Sequence, residues 1–198
     1  MKRIAVAGGI GAGKSTVVEF LRDRGFTCVD ADDVYADLVQ PGSPLLATLV
    51  DAFGSAVLSA TGHLDRAFVA RVVFADRSAL RRLNAITHPA VGLEMHRRLD
   101  QATSAAAFAA IPLFRESHRE QLHLDEVWSV LVEPDVALGR LVSLRHMDED
   151  DARQRLAAQM SNDERLALSD VVIWNNAGRD ELATRLVELL GERGLDGH

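Results

Sequence analysis

Short apolar runs alternate with stretches of helical periodicity along this chain. Five of the runs have the length of β-strands: RIAVA at 3–7, FTCVD at 26–30, AFAAIP at 107–112, VWSVLV at 127–132 and DVVIW at 170–174. Near-continuous apolar strands with helices between them are typical of a parallel sheet that is covered by helices on both faces. The pattern therefore predicts an α/β fold.

The segments between the strands predict the helices. After the first strand, Val17, Val18, Phe20 and Leu21 fall on one helical face, and Gly25 stands where that helix would stop. A much longer helical stretch follows at 45–103, with breaks predicted at QPGSP, SATGHLD and THPAV. Because this is too much chain for one crossover, it predicts an inserted helical subdomain.

A second helix-rich excursion runs over residues 134–168. Within it, Ser161 and Glu164 have the spacing of a capping box, which predicts a helix start. A further helix is predicted to begin near Asp148.

Composition and charge narrow the class of protein. The 198 residues are 47% apolar and 26% charged, as in soluble globular proteins, and the formal charge is −7. A nucleic-acid-binding surface usually needs a basic stripe, so no nucleic-acid partner is expected. Cys28 is the only cysteine, which excludes an internal disulfide, and MKRIAVAGG is too short in apolar length for a signal peptide or membrane span. We therefore expect a cytoplasmic protein with no membrane contact.

The stretch GGIGAGKST at 8–16 matches the phosphate-binding pattern G-x-x-x-x-G-K-[ST], between a predicted strand and a predicted helix. Such a loop directs backbone N–H groups and a helix N-terminus at a phosphate. The lysine supplies a charge for the β- and γ-phosphates, and the serine hydroxyl is a candidate magnesium ligand. A dinucleotide-binding turn is the rival, but it would need glycine at position 14. The predicted nucleotide-binding residues are Gly9, Gly11, Ala12, Gly13, Lys14, Ser15 and Thr16.

The second predicted strand runs into VDADDV, which places Asp30, Asp32 and Asp33 at the edge of the sheet where ligands gather. Two carboxylates there could hold magnesium through water or take a proton from an attacking hydroxyl. Alternatively, Asp30 or Asp32 caps a helix that begins near Asp33. A triphosphate nearby favours a catalytic Asp32.

Arginines are concentrated in the second helical excursion. Arg140 and Arg145 flank LVSL, and Arg153, Arg155 and Gln159 are predicted on the helix that begins near Asp148. Phosphoryl transferases close such arginines over the γ-phosphate to exclude water and neutralise charge. The alternative is a solvated helix face.

The ordered set of motifs resembles the dephospho-CoA kinase family over nearly the whole chain. The segments that carry the resemblance are GGIGAGKST, VDADDVYADLVQPG, LDRAFVARVVF, LNAITHP, IPLFRES, RLVSLR, RLAAQ and SDVVIWNNAG. The sequence departs from the family pattern at Phe114 and Arg115, where apolar residues are usual, and in NNAG, where the glycine comes one residue late.

The resemblance implies ATP-dependent phosphorylation of the ribose 3′-hydroxyl of dephospho-CoA, with Mg²⁺ and with no obligate protein partner. It implies catalytic roles for Asp32, Lys14 and Arg140. Arg145 and Asn175 would contact ATP, with Asn175 near the adenine, and Arg66, His88 and Glu116 would contact the acceptor.

The expected architecture is a single P-loop kinase domain over residues 1–198. Its core would span about 1–44, 104–134 and 169–198, with a helical acceptor subdomain at about 45–103 and a lid at about 135–168. Two other functions fit the phosphate loop: a P-loop kinase for another small molecule, such as a nucleotide or nucleoside, and a nucleotide-dependent switch protein.

Overall fold

The computed structural model describes residues 1–195, so the last residues of the predicted core, 196–198, lie outside the described part. The chain divides into two compact units. The first unit comprises residues 1–29 together with the chain from residue 99 onward, and the second comprises residues 30–98.

Five strands form one sheet: β1 (Lys2–Gly8), β2 (Thr27–Asp30), β3 (Ala106–Ile111), β4 (Glu126–Leu131) and β5 (Val171–Trp174). Their order is β2-β3-β1-β4-β5, and β1 pairs in parallel with β3 and β4, as β4 does with β5. The predicted α/β fold with a parallel sheet flanked by helices is confirmed.

The strand order fixes where a ligand can bind. The chain places β3 and β2 on one side of β1, and β4 and β5 on the other. In an open parallel sheet, the connections that leave the strands on either side of such a reversal open a crevice beyond the carboxyl ends. The end of β1 therefore faces the crevice where ligands of this fold class bind.

The helices are α1 (Lys14–Asp23), α2 (Ala31–Leu38), α3 (Pro44–Phe53), α4 (Arg66–Ala75), α5 (Arg77–Asp100), α6 (Glu116–Gln121), α7 (Pro134–Arg145), α8 (Glu149–Ala157), α9 (Asn162–Ala167) and α10 (Arg179–Glu192). The predicted capping box at the start of α9 is confirmed, because the Ser161 hydroxyl accepts from the Glu164 N–H and the Glu164 carboxylate accepts from the Ser161 N–H.

The core of the first unit packs helices against the sheet. Leu21 of α1 and Leu186 of α10 are fully buried in one cluster with Phe108 of β3 and Trp128 of β4. The rings of Phe108 and Trp128 meet edge to face, 5.3 Å between centroids. Burial of such large side chains is the dominant favourable contribution to folding, so this cluster fixes the sheet and the strand ends that carry the site.

The second unit has a smaller cluster around Val39, Leu45 and Leu49. Leu83 and Ala90 of α5 pack against it, one on each side of Pro89. The prediction that THPAV breaks the helical stretch is therefore wrong, because α5 continues through it from Arg77 to Asp100. Proline removes one helical hydrogen bond, and the apolar face that continues past it outweighs this local cost.

Candidate active site

The phosphate loop, residues 8–15, joins β1 to α1 at the centre of the sheet. Gly13 is the N-cap of α1 and has φ 93°, a left-handed conformation that side chains disfavour. A Cβ atom on Gly13 would also overlap Nδ2 of Asn175. Backbone conformation and a close neighbour therefore both require glycine there.

Lys14 and Ser15 are the first two residues of α1, so both lie at the positive end of that helix. Ser15 is exposed and Lys14 is partly exposed. Within residues 1–195, the Lys14 ammonium has no salt bridge or hydrogen bond to a protein group. Its charge is therefore available to an anion bound at the helix N-terminus.

Asn175 and Arg140 donate hydrogen bonds to backbone carbonyl oxygens of the phosphate loop. Asn175, just after β5, is only 6% exposed, and its Nδ2 donates to the Ala12 carbonyl at 2.8 Å. Arg140 of α7 donates through Nη1 to the Gly11 carbonyl at 3.3 Å and through Nη2 to Asn175 Oδ1 at 3.4 Å. The two residues thus hold loop carbonyls. A contact of Asn175 with adenine stays a prediction.

The other predicted lid arginines lie away from these contacts. Arg145 is exposed in the last turn of α7. Arg153 and Arg155 each form an exposed ion pair with the residue four positions earlier on α8. The Arg153–Glu149 distance is 2.6 Å and the Arg155–Asp151 distance is 3.0 Å. The solvated-face alternative therefore describes Arg153 and Arg155.

Helix α2, which contains the acidic segment, begins two residues earlier than predicted. Asp30 is the N-cap, and its Oδ1 accepts from the Asp32 N–H at 2.8 Å, so α2 starts at Ala31 and not near Asp33. The alternative in which Asp32 is the cap is therefore wrong. Asp32 and Asp33 are exposed in the first turn of α2.

Tyr35, one turn after Asp32, brings an aromatic ring to the same helix. Burial raises the pKa of its phenol, and the positive charge of Arg66 acts in the opposite direction. The Arg66 guanidinium lies 5.7 Å from the centre of the Tyr35 ring, a cation–π distance. Sequence reasoning did not identify Tyr35, because a lone tyrosine on an apolar helix face gives no functional signal.

The two remaining acceptor candidates lie in different units. His88 is exposed on α5 in the second unit. Glu116 is the first residue of α6 in the first unit, and its carboxylate lies 3.2 Å from Arg119 Nε. Their joint contact with one acceptor stays a prediction.

Across residues 1–195, no group of three or more His, Cys, Asp or Glu side chains is arranged to hold a metal ion. None of the helices in this part of the chain has both the length and the apolar character needed to cross a membrane.

Residues 2–181 match the family model described as dephospho-CoA kinase. The chain belongs to the dephospho-CoA kinase family. It is 41% identical over 195 residues to "Dephospho-CoA kinase" of Corynebacterium glutamicum, with 97% of each chain covered.

Two solved structures extend the likeness to three dimensions. TT1252 from Thermus thermophilus superposes with a TM-score of 0.82 at 29% identity, covering 96% of this chain and 97% of that one. Dephospho-CoA kinase from Campylobacter jejuni has a TM-score of 0.71 at 27% identity and covers 98% of both chains. The family resemblance seen in the motifs is confirmed.

The departure from the dephospho-CoA kinase pattern at Phe114 and Arg115 has a simple local structure. Phe114 is buried, 6% exposed, whereas Arg115 is exposed and precedes α6. The Arg115 N–H donates to Nδ1 of His118 at 3.0 Å. The aromatic residue thus takes an apolar position and the arginine faces outward.

Arg165 of α9 and Gln159, which follows α8, contact the first half of the phosphate loop. Gln159 lies beyond the end of α8 at Ala157, so the prediction that it belongs to that helix is wrong. Arg165 is only 8% exposed. Neither was predicted as a site residue, since nothing local in NDERLA shows that its arginine is buried.

Proposed function

We propose that this chain transfers the γ-phosphoryl group of ATP to the ribose 3′-hydroxyl of dephospho-CoA, producing ADP and CoA, in the last step of coenzyme A biosynthesis. The family match across residues 2–181 carries this proposal, because it includes both the phosphate loop and the acidic segment. No observation favours the two alternatives, a kinase for another small molecule and a nucleotide switch.

The nucleotide side of the reaction rests on the first unit. The N-terminus of α1 and the backbone N–H groups beside it face the phosphates, and Lys14 meets their negative charge. Arg140 contacts the loop at Gly11, and we assign its guanidinium to the transferring phosphoryl group. Phosphoryl transfer depends mainly on such positioning and charge stabilisation.

The acceptor side rests on the second unit and on Glu116. The ribose 3′-oxygen attacks the γ-phosphorus, the bond from that phosphorus to the β-phosphate oxygen breaks, and the hydroxyl proton passes to Asp32. We assign this role to Asp32 because the family resemblance implies it and because Asp32 is exposed in the first turn of α2. Arg66, His88 and Glu116 would hold the rest of the acceptor, and the Tyr35 ring beside Arg66 limits where that guanidinium points.

Magnesium fits the residues present only together with the nucleotide. The exposed hydroxyl of Ser15 is one oxygen donor at the loop, and Mg²⁺ commonly takes few protein ligands and completes its shell with phosphate oxygens and water. When bound, the ion neutralises charge on the β- and γ-phosphates. The lid role of residues 135–168, with Arg145, and a cytoplasmic location belong to the same proposal.

Acceptor-dependent ADP release tests the proposed function. With ATP and Mg²⁺, we expect rapid ADP release with dephospho-CoA and only background release with nucleosides or nucleoside monophosphates. Phosphorus NMR of the product would then show a new 3′-phosphomonoester. Release that no acceptor stimulates would indicate a switch protein, and preference for a nucleoside would indicate another small-molecule kinase. Chelation of Mg²⁺ should stop release in the kinase.

A further inference from the structure

Gln159 makes a direct hydrogen bond to the backbone of the phosphate loop. Its side-chain oxygen Oε1 accepts from the Ile10 N–H at 3.0 Å. A Cβ atom built on Gly9 would lie 3.1 Å from this oxygen and 3.2 Å from Nη2 of Arg165. The two side chains therefore pack against the loop with no space for another side chain between them.

Arg165 in turn fixes the orientation of the Gln159 amide. Its Nη2 donates to Gln159 Oε1 at 3.3 Å and its Nε donates to the Met160 carbonyl at 3.2 Å. With Arg165 in place, the oxygen of Gln159, and not its NH₂ group, must face the two donors, because an NH₂ group accepts no hydrogen bond. Burial lowers the pKa of this guanidinium, but arginine stays charged in proteins.

We propose that Gln159 and Arg165 are positioning residues for the triphosphate: Gln159 holds the Ile10 end of the phosphate loop in its binding conformation, and Arg165 holds Gln159. Neither needs to touch the nucleotide. The proposal rests on the proposed function for its kinetic consequence only, since the hydrogen bonds exist without ligand.

The two ends of the loop are thereby held by different parts of the first unit. Asn175 and Arg140 hold the carbonyls of Ala12 and Gly11, whereas Gln159 holds the N–H of Ile10, in the segment that connects α8 to α9. A loop released at one end samples more conformations, and binding must then order it again. Loss of the Gln159 contact should weaken ATP binding without changing the chemical step.

The test compares Gln159→Met, which keeps the volume but lacks an acceptor oxygen, with Asn162→Ala. Gln159, Arg165 and Asn162 all line one cavity of about 190 Å³. The Nδ2 of Asn162 donates to the Val132 carbonyl and not to the loop. In Gln159→Met we expect about tenfold faster amide exchange at Ile10 and about tenfold weaker ATP binding by calorimetry, the usual effect of one lost hydrogen bond. The KM for ATP should rise similarly, with kcat and the KM for dephospho-CoA unchanged. Asn162→Ala should leave all five quantities at wild-type values.

Unchanged ATP affinity in Gln159→Met, or an equal loss in Asn162→Ala, would overturn the proposal. Calorimetry and amide exchange need no acceptor, so they decide it even if dephospho-CoA proves not to be the substrate. If Gln159→Met fails to fold, Gln159→Glu replaces it. The glutamate keeps an oxygen for Ile10 and Arg165, so Ile10 protection should match wild type, and lost protection would contradict the proposed bond.

A double-mutant cycle tests the order of the two residues. Arg165→Met should weaken ATP binding about as much as Gln159→Met does. The double variant should bind ATP no more weakly than either, because Arg165 acts only by holding Gln159 on the Ile10 N–H. Effects that multiply, giving about a hundredfold loss, would show that Arg165 acts independently of Gln159.

Discussion

The two units of the chain present their candidate site residues in different ways. In the first unit, Asn175 is buried and Arg140 is bonded to the loop, so the nucleotide side is fixed by contacts inside one unit. In the second unit, Asp32, Arg66 and His88 all lie exposed on helices. The nucleotide side is thus built before any ligand arrives, whereas the acceptor side displays its groups at the surface.

The difference determines how much conformational entropy each part of the site loses when its substrate binds. A preorganised loop loses little entropy when phosphates bind, and its dipoles need no rearrangement during reaction. Exposed side chains are ordered only when the acceptor binds. We therefore expect substitutions that loosen the phosphate loop to weaken ATP binding, and substitutions at the acceptor residues of the second unit to change transfer while leaving ATP binding intact.

The largest effect is expected for Lys14→Ala, which should lower phosphoryl transfer by about 10³-fold or more, since it removes the charge aimed at the β- and γ-phosphates. The melting curve should be unchanged. The chain has one other lysine, Lys2, whose Nζ lies 3.2 Å from Glu126. Lys2→Ala removes the same charge far from the loop and should keep full activity. Near-normal turnover in Lys14→Ala would remove the phosphate-loop argument.

Asp32→Asn tests the acceptor side and should lower transfer by about 10²-fold or more, because asparagine cannot take the hydroxyl proton. ATP affinity, measured by calorimetry, should not change. Asp33→Asn, next to it in the first turn of α2, is the matched control and should retain most activity. The opposite ranking would assign the catalytic role to Asp33. Reduced ATP binding in Asp32→Asn would contradict the expectation that acceptor residues do not affect ATP binding.

Arg140→Ala should lower kcat by about 10²-fold, in the range of arginines that stabilise a transferring phosphoryl group. The same loss is expected for Arg145→Ala if the exposed guanidinium closes over the γ-phosphate. Arg153→Ala removes an exposed helix pair and serves as the control. If Arg140→Ala and Arg145→Ala change only the melting temperature, both arginines are structural.

Much of this fold could be predicted from the sequence because its signals are local. Each strand is an apolar run that ends at a polar or turn residue, and the glycines and Lys14 of the phosphate loop stand in one uninterrupted motif. Pro89 misled because its local preference was overruled by the packing of α5 on both sides of it. Gln159 and Arg165 were missed since their significance depends on contacts with residues about 150 positions away in the chain, as for Ile10 and Gln159.

Asn175→Ala should destabilise the first unit by about 1–3 kcal/mol, because it removes a buried amide and leaves the Ala12 carbonyl without that donor. The loss can be measured by urea unfolding, and ATP affinity should fall as well. Asn176→Ala is the control: the exposed Asn176 side chain accepts from the Glu133 N–H at 2.9 Å, a bond that does not involve the loop. Equal effects of the two changes would show that the loop contact has no special weight.

The smallest effect is expected in the second unit, for Glu94→Gln. Arg97 and Arg98 each donate to Glu94 at 2.7 Å, and these hydrogen bonds lower its pKa from 4.5 to about 2. A carboxyl whose pKa is depressed in the folded state stabilises the protein above its unfolded pKa and loses that contribution as the pH falls. The contribution should therefore be complete above about pH 4.5 and vanish toward pH 2.

The contribution of Glu94 to the free energy of unfolding should stay below about 1 kcal/mol at pH 7. Solvent and salt screen exposed pairs, and the Arg97 side chain is 53% exposed. Urea unfolding of wild type and Glu94→Gln at pH 7 and pH 3 measures it, and the difference in free energy of unfolding should be smaller at pH 3. Added salt should reduce it further. A loss of unfolding free energy as large as that of Asn175→Ala would contradict the comparison. It would mean that an exposed network in the second unit stabilises the protein as much as the buried Asn175 contact with the phosphate loop.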